Sequence, residues 1–181
     1  MYLFSGINLV ALFLLCDTKT MGPPGTIHLD LVEPCGENPG GDVELETDLH
    51  KIDALGSKAL SATIRMKIPL DDAVTYKIEV RKWDDGWKLQ MDHSGKLCEE
   101  TMKFAPKLWD QLKSVSTPEM PDECSLEPGE YKVKNLKAMT KDMAIPSIYY
   151  GKLQVEIWFY RDEELISCLV IEGDSQAPAG Q

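Results

Sequence analysis

The chain of 181 residues carries 30 acidic and 19 basic side chains, a formal charge of −11 at neutral pH. That length suits one domain built on one core. The acidity argues against nucleic acid and against anionic membrane surfaces as standing partners, while leaving room for transient membrane contact or a basic patch on another protein.

The N-terminus reads MYLFSGINLVALFLLCDTKTMG, with a nearly unbroken apolar run from Ile7 to Cys16. The run is too short to span a bilayer and fits the apolar region of a secretory signal, although no Lys or Arg precedes it. Its place at the terminus, followed by MGPPG, favours a signal over a buried core segment. The expectation is a signal over residues 1–20, cut somewhere in 16–22, and an extracellular, secreted protein. A linker and first-strand region follows over 21–34, the main domain over 35–173 and a flexible tail over 174–181.

Secretion changes how the cysteines read. Cys16 leaves with the signal or sits at its edge, and Cys35, Cys98, Cys124 and Cys168 remain. An even number in an oxidising compartment predicts two disulfides, in any of three pairings. No two cysteines form a C-x-x-C, so no metal site is indicated.

Strand signals then follow in order. Val43, Leu45, Thr47 and Leu49 alternate with Glu44, Glu46, Asp48 and His50, the period of a strand with one wet face. Ala62, Ile64, Met66 and Ile68 repeat the pattern, as do Tyr76, Ile78 and Val80. Trp83-Asp84-Asp85-Gly86-Trp87 is a hairpin signal, because Asp-Gly supplies the positive φ angles of a tight turn, and Trp87, Leu89 and Met91 continue on its far side. From Cys98 to Val115 the period changes, with Met102, Ala105, Leu108, Trp109 and Leu112 at helical spacing. Pro106 predicts either a kink in that helix or a helix that begins there. After the STPEMPDE loop come Cys124 and a Pro-Gly turn opening into a strand. Leu153, Val155, Ile157 and Phe159 then face one way, Arg161-Asp162-Glu163 turns, and LISCLVI returns as a strand apolar on both faces and so buried on both. No helices alternate with these strands, which points to an antiparallel meander or sandwich.

The runs CEETMKFAPKLWDQL and CSLEPGEYKV, the Pro146 to Gly151 segment leading into KLQVEIWFY, and the terminal ELISCLVIEG, in that order, resemble the ganglioside activator-like family and its secreted arthropod-type relatives, within the lipid-recognition (ML-type) β-cup group. The resemblance covers about Pro34 to Gly173 and is best in the C-terminal half. It implies a mostly β fold, two antiparallel sheets in an immunoglobulin-like cup with one short helix near the cavity mouth. It also implies the pairings Cys35–Cys168 and Cys98–Cys124, and a lipid or other apolar small molecule held between the sheets. No N-x-[ST] acceptor stands at Asn8, Asn38 or Asn135, and the additional cysteine pairs of the vertebrate activator are missing, so lipid binding is the more portable implication.

Combined with the alternation, the resemblance nominates as ligand-lining residues Ile64, Met66, Ile68, Tyr76, Ile78, Val80, Trp87, Leu89, Met91, Trp109, Val155, Ile157 and Phe159. Met102, Met139 and Met143 stand near the connecting loops, and methionine is pliable enough for variable guests. The plainer reading of any one of these side chains is core packing.

Catalytic signals are missing. His28, His50 and His93 are scattered, and the chain has no G-x-S-x-G, H-E-x-x-H or phosphate-cradling glycine loop, so neither an enzyme nor a cofactor is expected. Asp92-His93-Ser94-Gly95 reads as a turn, because neighbours on one strand cannot relay a proton between themselves. Asp71-Asp72 and Asp84-Asp85 lack the serial oxygen donors of a calcium site and read as solvated turns. Lys132, Lys134, Lys137 and Lys141 form a basic strip, a wet face or a dock for an anionic headgroup. Two functions follow from different classes: a secreted carrier of an apolar ligand, or a secreted interaction protein acting on a receptor or enzyme, its cavity incidental.

Overall fold

The computed structural model describes residues 21–36, 41–54, 57–137 and 142–179. The expected signal over 1–20, with Cys16, lies outside the described residues, as do Met139 and Lys141. Eleven strands and two helices are present among the described residues. The large sheet has the order β2 (Ile27–Pro34), β11 (Glu164–Ser175), β10 (Gly151–Arg161), β5 (Val74–Trp83), β6 (Trp87–Lys96). The small sheet has the order β3 (Val43–Lys51), β4 (Lys58–Met66), β8 (Gly129–Leu136), β7 (Ser116–Thr117). A two-residue pair, β1 (Met21–Gly22) with β9 (Ile148–Tyr149), stands apart. Every pairing is antiparallel. The architecture is the mostly β, antiparallel sandwich that the alternation predicts.

Several local expectations hold in detail. The β5–β6 hairpin turns where Asp-Gly stands, with Asp85 at φ 51° and Gly86 at φ 135°. The β10–β11 hairpin turns at Asp162 and Glu163, at φ 50° and 68°. Both disulfides expected from the family resemblance form, Cys35–Cys168 with Cα atoms 5.3 Å apart and Cys98–Cys124 with 5.1 Å.

Three expectations need correction. The single short helix is two, α1 (Leu97–Phe104) and α2 (Pro106–Val115), because Ala105 leaves helical geometry at φ −139° and Pro106 opens the second helix, where its missing N–H costs nothing. Asp92 to Gly95 is not a turn: it lies inside β6, paired in register with β5. The tail placed over 174–181 begins too early, since β11 keeps pairing through Ser175 and the Gln176 amide donates to Thr26 O at 2.9 Å.

The sheets are joined along the β2 and β3 side, where Thr47 Oγ1 donates to Val32 O at 2.6 Å and Lys58 Nζ reaches Leu29 O at 2.6 Å. They are joined again where the chain passes from β4 to β5. There Leu70 and Leu126 exchange backbone hydrogen bonds at 2.9 and 2.8 Å. Arg161, at the end of β10, donates to Pro69 O at 2.8 Å and forks onto both oxygens of Asp71 at 3.0 and 3.2 Å. Val74 just beyond is wholly buried, in one packed core with Val43, Met66, Trp109, Met120, Leu126, Tyr131, Val133, Leu136 and Ile166.

The Arg161 guanidinium holds the Asp71 carboxyl below its ordinary value of 3.8, and the Ala73 amide adds to the effect. A carboxyl depressed in the folded state gives stability that is complete above the unfolded value and is lost as pH falls through the folded one. Thermal stability should therefore drop on acidification below about pH 4. Asp71→Asn should be less stable at pH 7 and lose less over that acid window. Parallel slopes of Tm against pH for the two proteins would show that this fork contributes nothing.

Candidate functional site

The inner face of the large sheet is set by register. Phe159 packs against the core and so points inward. Ile157 and Val155 share its face at two-residue spacing, and cross-strand pairing adds Tyr76, Ile78 and Val80 from β5 and Ile171 and Leu169 from β11. These side chains are apolar apart from the Tyr76 hydroxyl. All are half-buried, and of them only Phe159 packs against the core. A closed sandwich buries both inner faces against each other. Here the core occupies the helix-bearing end and the small sheet, and the middle of the large sheet keeps an apolar face that solvent reaches.

The outer face of the same strands is polar and cross-linked. Lys77 pairs with Glu79 at 2.7 Å, and Arg81 pairs with both Glu79 and Glu156. The hydrogen bond from Lys77 holds Glu79 below the usual carboxylate range against the opposing effect of burial. Lys77 Nζ also lies over the Trp158 ring, 5.3 Å from its centroid. The sheet thus has a wet outside fixed by charge and an apolar inside.

The nominated residues fall into three groups. Tyr76, Ile78, Val80, Val155, Ile157 and Phe159 are brought together on the inner face, with Met91 beside Val80 at the β6 edge. Ile64, Met66, Ile68 and Trp109 belong to the packed core or lie against it, and Trp109 Nε1 donates to Pro121 O at 3.2 Å. Trp87 and Leu89 face the other way. Val80 pairs with Met91 but Arg81 pairs with Leu89, so Gln90 is an extra residue in β6. Such a bulge inverts the alternation, and Leu89 follows Arg81 to the outer face. Leu89 is 55% exposed there. Of the basic strip, Lys132 is paired with Glu130 at 2.9 Å, on the outer face of the small sheet.

One cluster was not foreseen. Glu100 on α1 accepts a hydrogen bond from the Tyr76 hydroxyl, and His93 Nε2 lies 2.9 Å from the same carboxylate. Gly95 leaves room for this contact, since a Cβ there would stand 2.2 Å from Glu100 Oε1. Burial, and then the bond to Glu100, raise the Tyr76 phenol above its ordinary value, and the Tyr76 bond holds the Glu100 carboxyl below its own. The cluster fastens α1 across the inner end of β5 and β6. No sequence spacing announces it, because the three residues come from separate elements; only the small residue at Gly95 hinted at close approach.

Among the described residues no group of side chains has metal-ligand geometry, and no helix is long and apolar enough to cross a membrane. No family model matches the chain, and no curated protein does. Among solved structures the chain is similar to chicken MD-1, crystallised with lipid IVa. Identity is 12% and the TM-score 0.38, over 86% of this chain and 99% of that one. The class rests on the chain's own strands and register: a two-sheet antiparallel sandwich with an apolar inner face left half open.

Glu100→Ala should loosen α1, since the half-buried Tyr76 hydroxyl loses its acceptor. Amide exchange over 97–104 should accelerate about tenfold or more while exchange in β10 and β11 stays slow. Unchanged exchange in α1 would show that the disulfide at Cys98 alone fixes the helix.

Proposed function

We propose that the protein binds a lipid or similar apolar molecule between its two sheets and carries it outside the cell, as a secreted member of the ganglioside activator-like branch of β-cup proteins. The observation that carries the binding is the half-open inner face of β5, β10 and β11, where Ile78, Val80, Val155 and Ile157 are apolar yet lie outside the packed core. Contiguous apolar surface left open to water is unfavourable, and a guest that covers it gains about 25 cal/mol for each Å² removed from solvent. The residues offered as the wall are Tyr76, Ile78, Val80, Met91, Val155, Ile157 and Phe159, with Leu169 and Ile171 added from β11. Ile64, Met66, Ile68 and Trp109 support that wall from the core. Two disulfides and the apolar leader support secretion. No catalytic step is assigned, and no cofactor is needed.

Affinity should rise with chain length in a series of fatty acids or lysolipids, by ~0.8 kcal/mol per methylene until the space is full, measured by displacement of a fluorescent fatty acid. Val155→Trp should shorten the longest chain accepted while far-UV circular dichroism stays native. Ile157→Asp would put a charge into the wall and should remove binding. A folded protein that shows no chain-length dependence, and that emerges from its native secretion without a co-purifying lipid, would overturn this reading in favour of an interaction protein.

A further inference from the structure

The tip of the β5–β6 hairpin carries a feature that neither the core nor the inner face accounts for. Trp83 and Trp87 pair across the turn with ring centroids 5.3 Å apart and planes at 81°, forming two walls of an open corner. Trp83 is 50% exposed. Lys152 of β10 lies over both rings, its Nζ 5.8 Å from one centroid and 5.4 Å from the other. Beside them Leu89 lies exposed on the same outer face, and Asp84 is occupied by Lys88 at 2.6 Å. Exposed Trp83 and Leu89 beside half-buried Trp87 make an apolar patch at the hairpin tip, the kind of surface that marks a contact site.

The chemistry of the corner selects what covers it. Two tryptophan faces set at right angles attract a cation through the ring quadrupoles, and they already hold one in Lys152. Quaternary ammonium groups are the cations such aromatic walls favour, because they are poorly hydrated. A trimethylammonium entering the corner would displace the Lys152 ammonium by a short swing, placing it beside the phosphate that follows the ammonium in a choline headgroup. Tryptophan is also at home in the headgroup region of a bilayer, where one side of the ring is apolar and the other wet. We propose that the Trp83–Trp87 corner with Lys152 is a docking site for the phosphocholine headgroups of a phospholipid bilayer. The site faces away from the inner wall of the sheet, and it stands or falls independently of what the cup binds.

Flotation with the full secreted chain at physiological salt tests this, using vesicles of phosphatidylcholine, phosphatidylethanolamine or phosphatidylglycerol. Protein is expected on phosphatidylcholine vesicles and released by millimolar soluble phosphocholine. Trp83→Ala and Trp87→Ala should each weaken the association about tenfold or more with circular dichroism unchanged, and Trp87→Tyr should retain most of it. Lys152→Gln should keep binding to choline but lose the preference for phosphocholine over choline. The proposal is overturned by equal binding to phosphatidylethanolamine without competition by phosphocholine, which would indicate headgroup-blind insertion. Preference for phosphatidylglycerol would overturn it in favour of simple charge attraction, and undiminished binding of folded tryptophan variants or no vesicle binding at all would overturn it outright. The fatty-acid displacement assay reports separately on the cup, so either result can fail alone.

Discussion

The crossing from β4 to β5 sets the relation between the two sheets. Arg161, from the large sheet, forks onto Asp71 and caps Pro69 O, while Leu70 pairs with Leu126 from the connection that leads into the small sheet. A bidentate, partly buried guanidinium–carboxylate pair fixes direction as well as distance. Val74 is then driven into a fully dry position, and the core gathers around it. Because this knot lies at the helix-bearing end, and the other tie runs along the β2–β3 side, the sheets are pinned at one end and one side. Among the described residues, Leu153 and Val32 on the same inner face are buried, while Ile78, Val80, Val155 and Ile157 between them and the core stay only half-buried. An open inner face follows from where the ties are, with no special property needed in the residues that line it.

Much of this was legible in the sequence, and the missing part has a physical cause. Strand alternation says which side chains share a face, and the register of β5 with β10 puts Tyr76, Ile78 and Val80 on one face with Val155, Ile157 and Phe159 as that alternation requires. It says nothing about how far away the opposing sheet lies. Met66 and Ile157 stand in similar alternating strands, yet Met66 is 5% exposed in the core while Ile157 remains half open. The difference lies in tertiary packing, since Met66 sits in the packed core and Ile157 outside it. Trp109 illustrates the same limit on a helix, where an apolar stripe reads identically whether it meets packed β8 or an empty space.

The bulge at Gln90 was hidden for another reason. WKLQMDH alternates cleanly as written, so period alone continues one face from Trp87 to Met91. The extra residue is visible only in the partner strand, where Val80 and Arg81 are adjacent while Met91 and Leu89 are not. Its consequence is large for so small an irregularity: one inserted residue takes Trp87 and Leu89 from the expected wall and places them on the outer face beside Lys152. A bulge also suits an edge strand, since it spoils the regular row of donors and acceptors that would recruit another chain. Side chains blunt the same edge, as Gln90 Nε2 donates to Lys88 O at 3.0 Å and the Tyr149 hydroxyl reaches Gln90 O at 3.4 Å.

The two ends of β5 and β6 are therefore finished in opposite ways. At the inner end Gly95 lets α1 approach, and Glu100 joins Tyr76 and His93 into a closed polar cluster beside the apolar wall. At the tip the strands end in an exposed and a half-buried tryptophan around a lysine. Along the outer face between them, Lys77, Glu79, Arg81 and Glu156 neutralise one another, so little of the overall charge of −11 comes from that surface. An acidic protein meeting a zwitterionic bilayer is not repelled as it would be by an anionic one, because the headgroup carries no net charge to act over a Debye length. Contact then depends on short-range groups, and the hairpin tip is where this chain concentrates them.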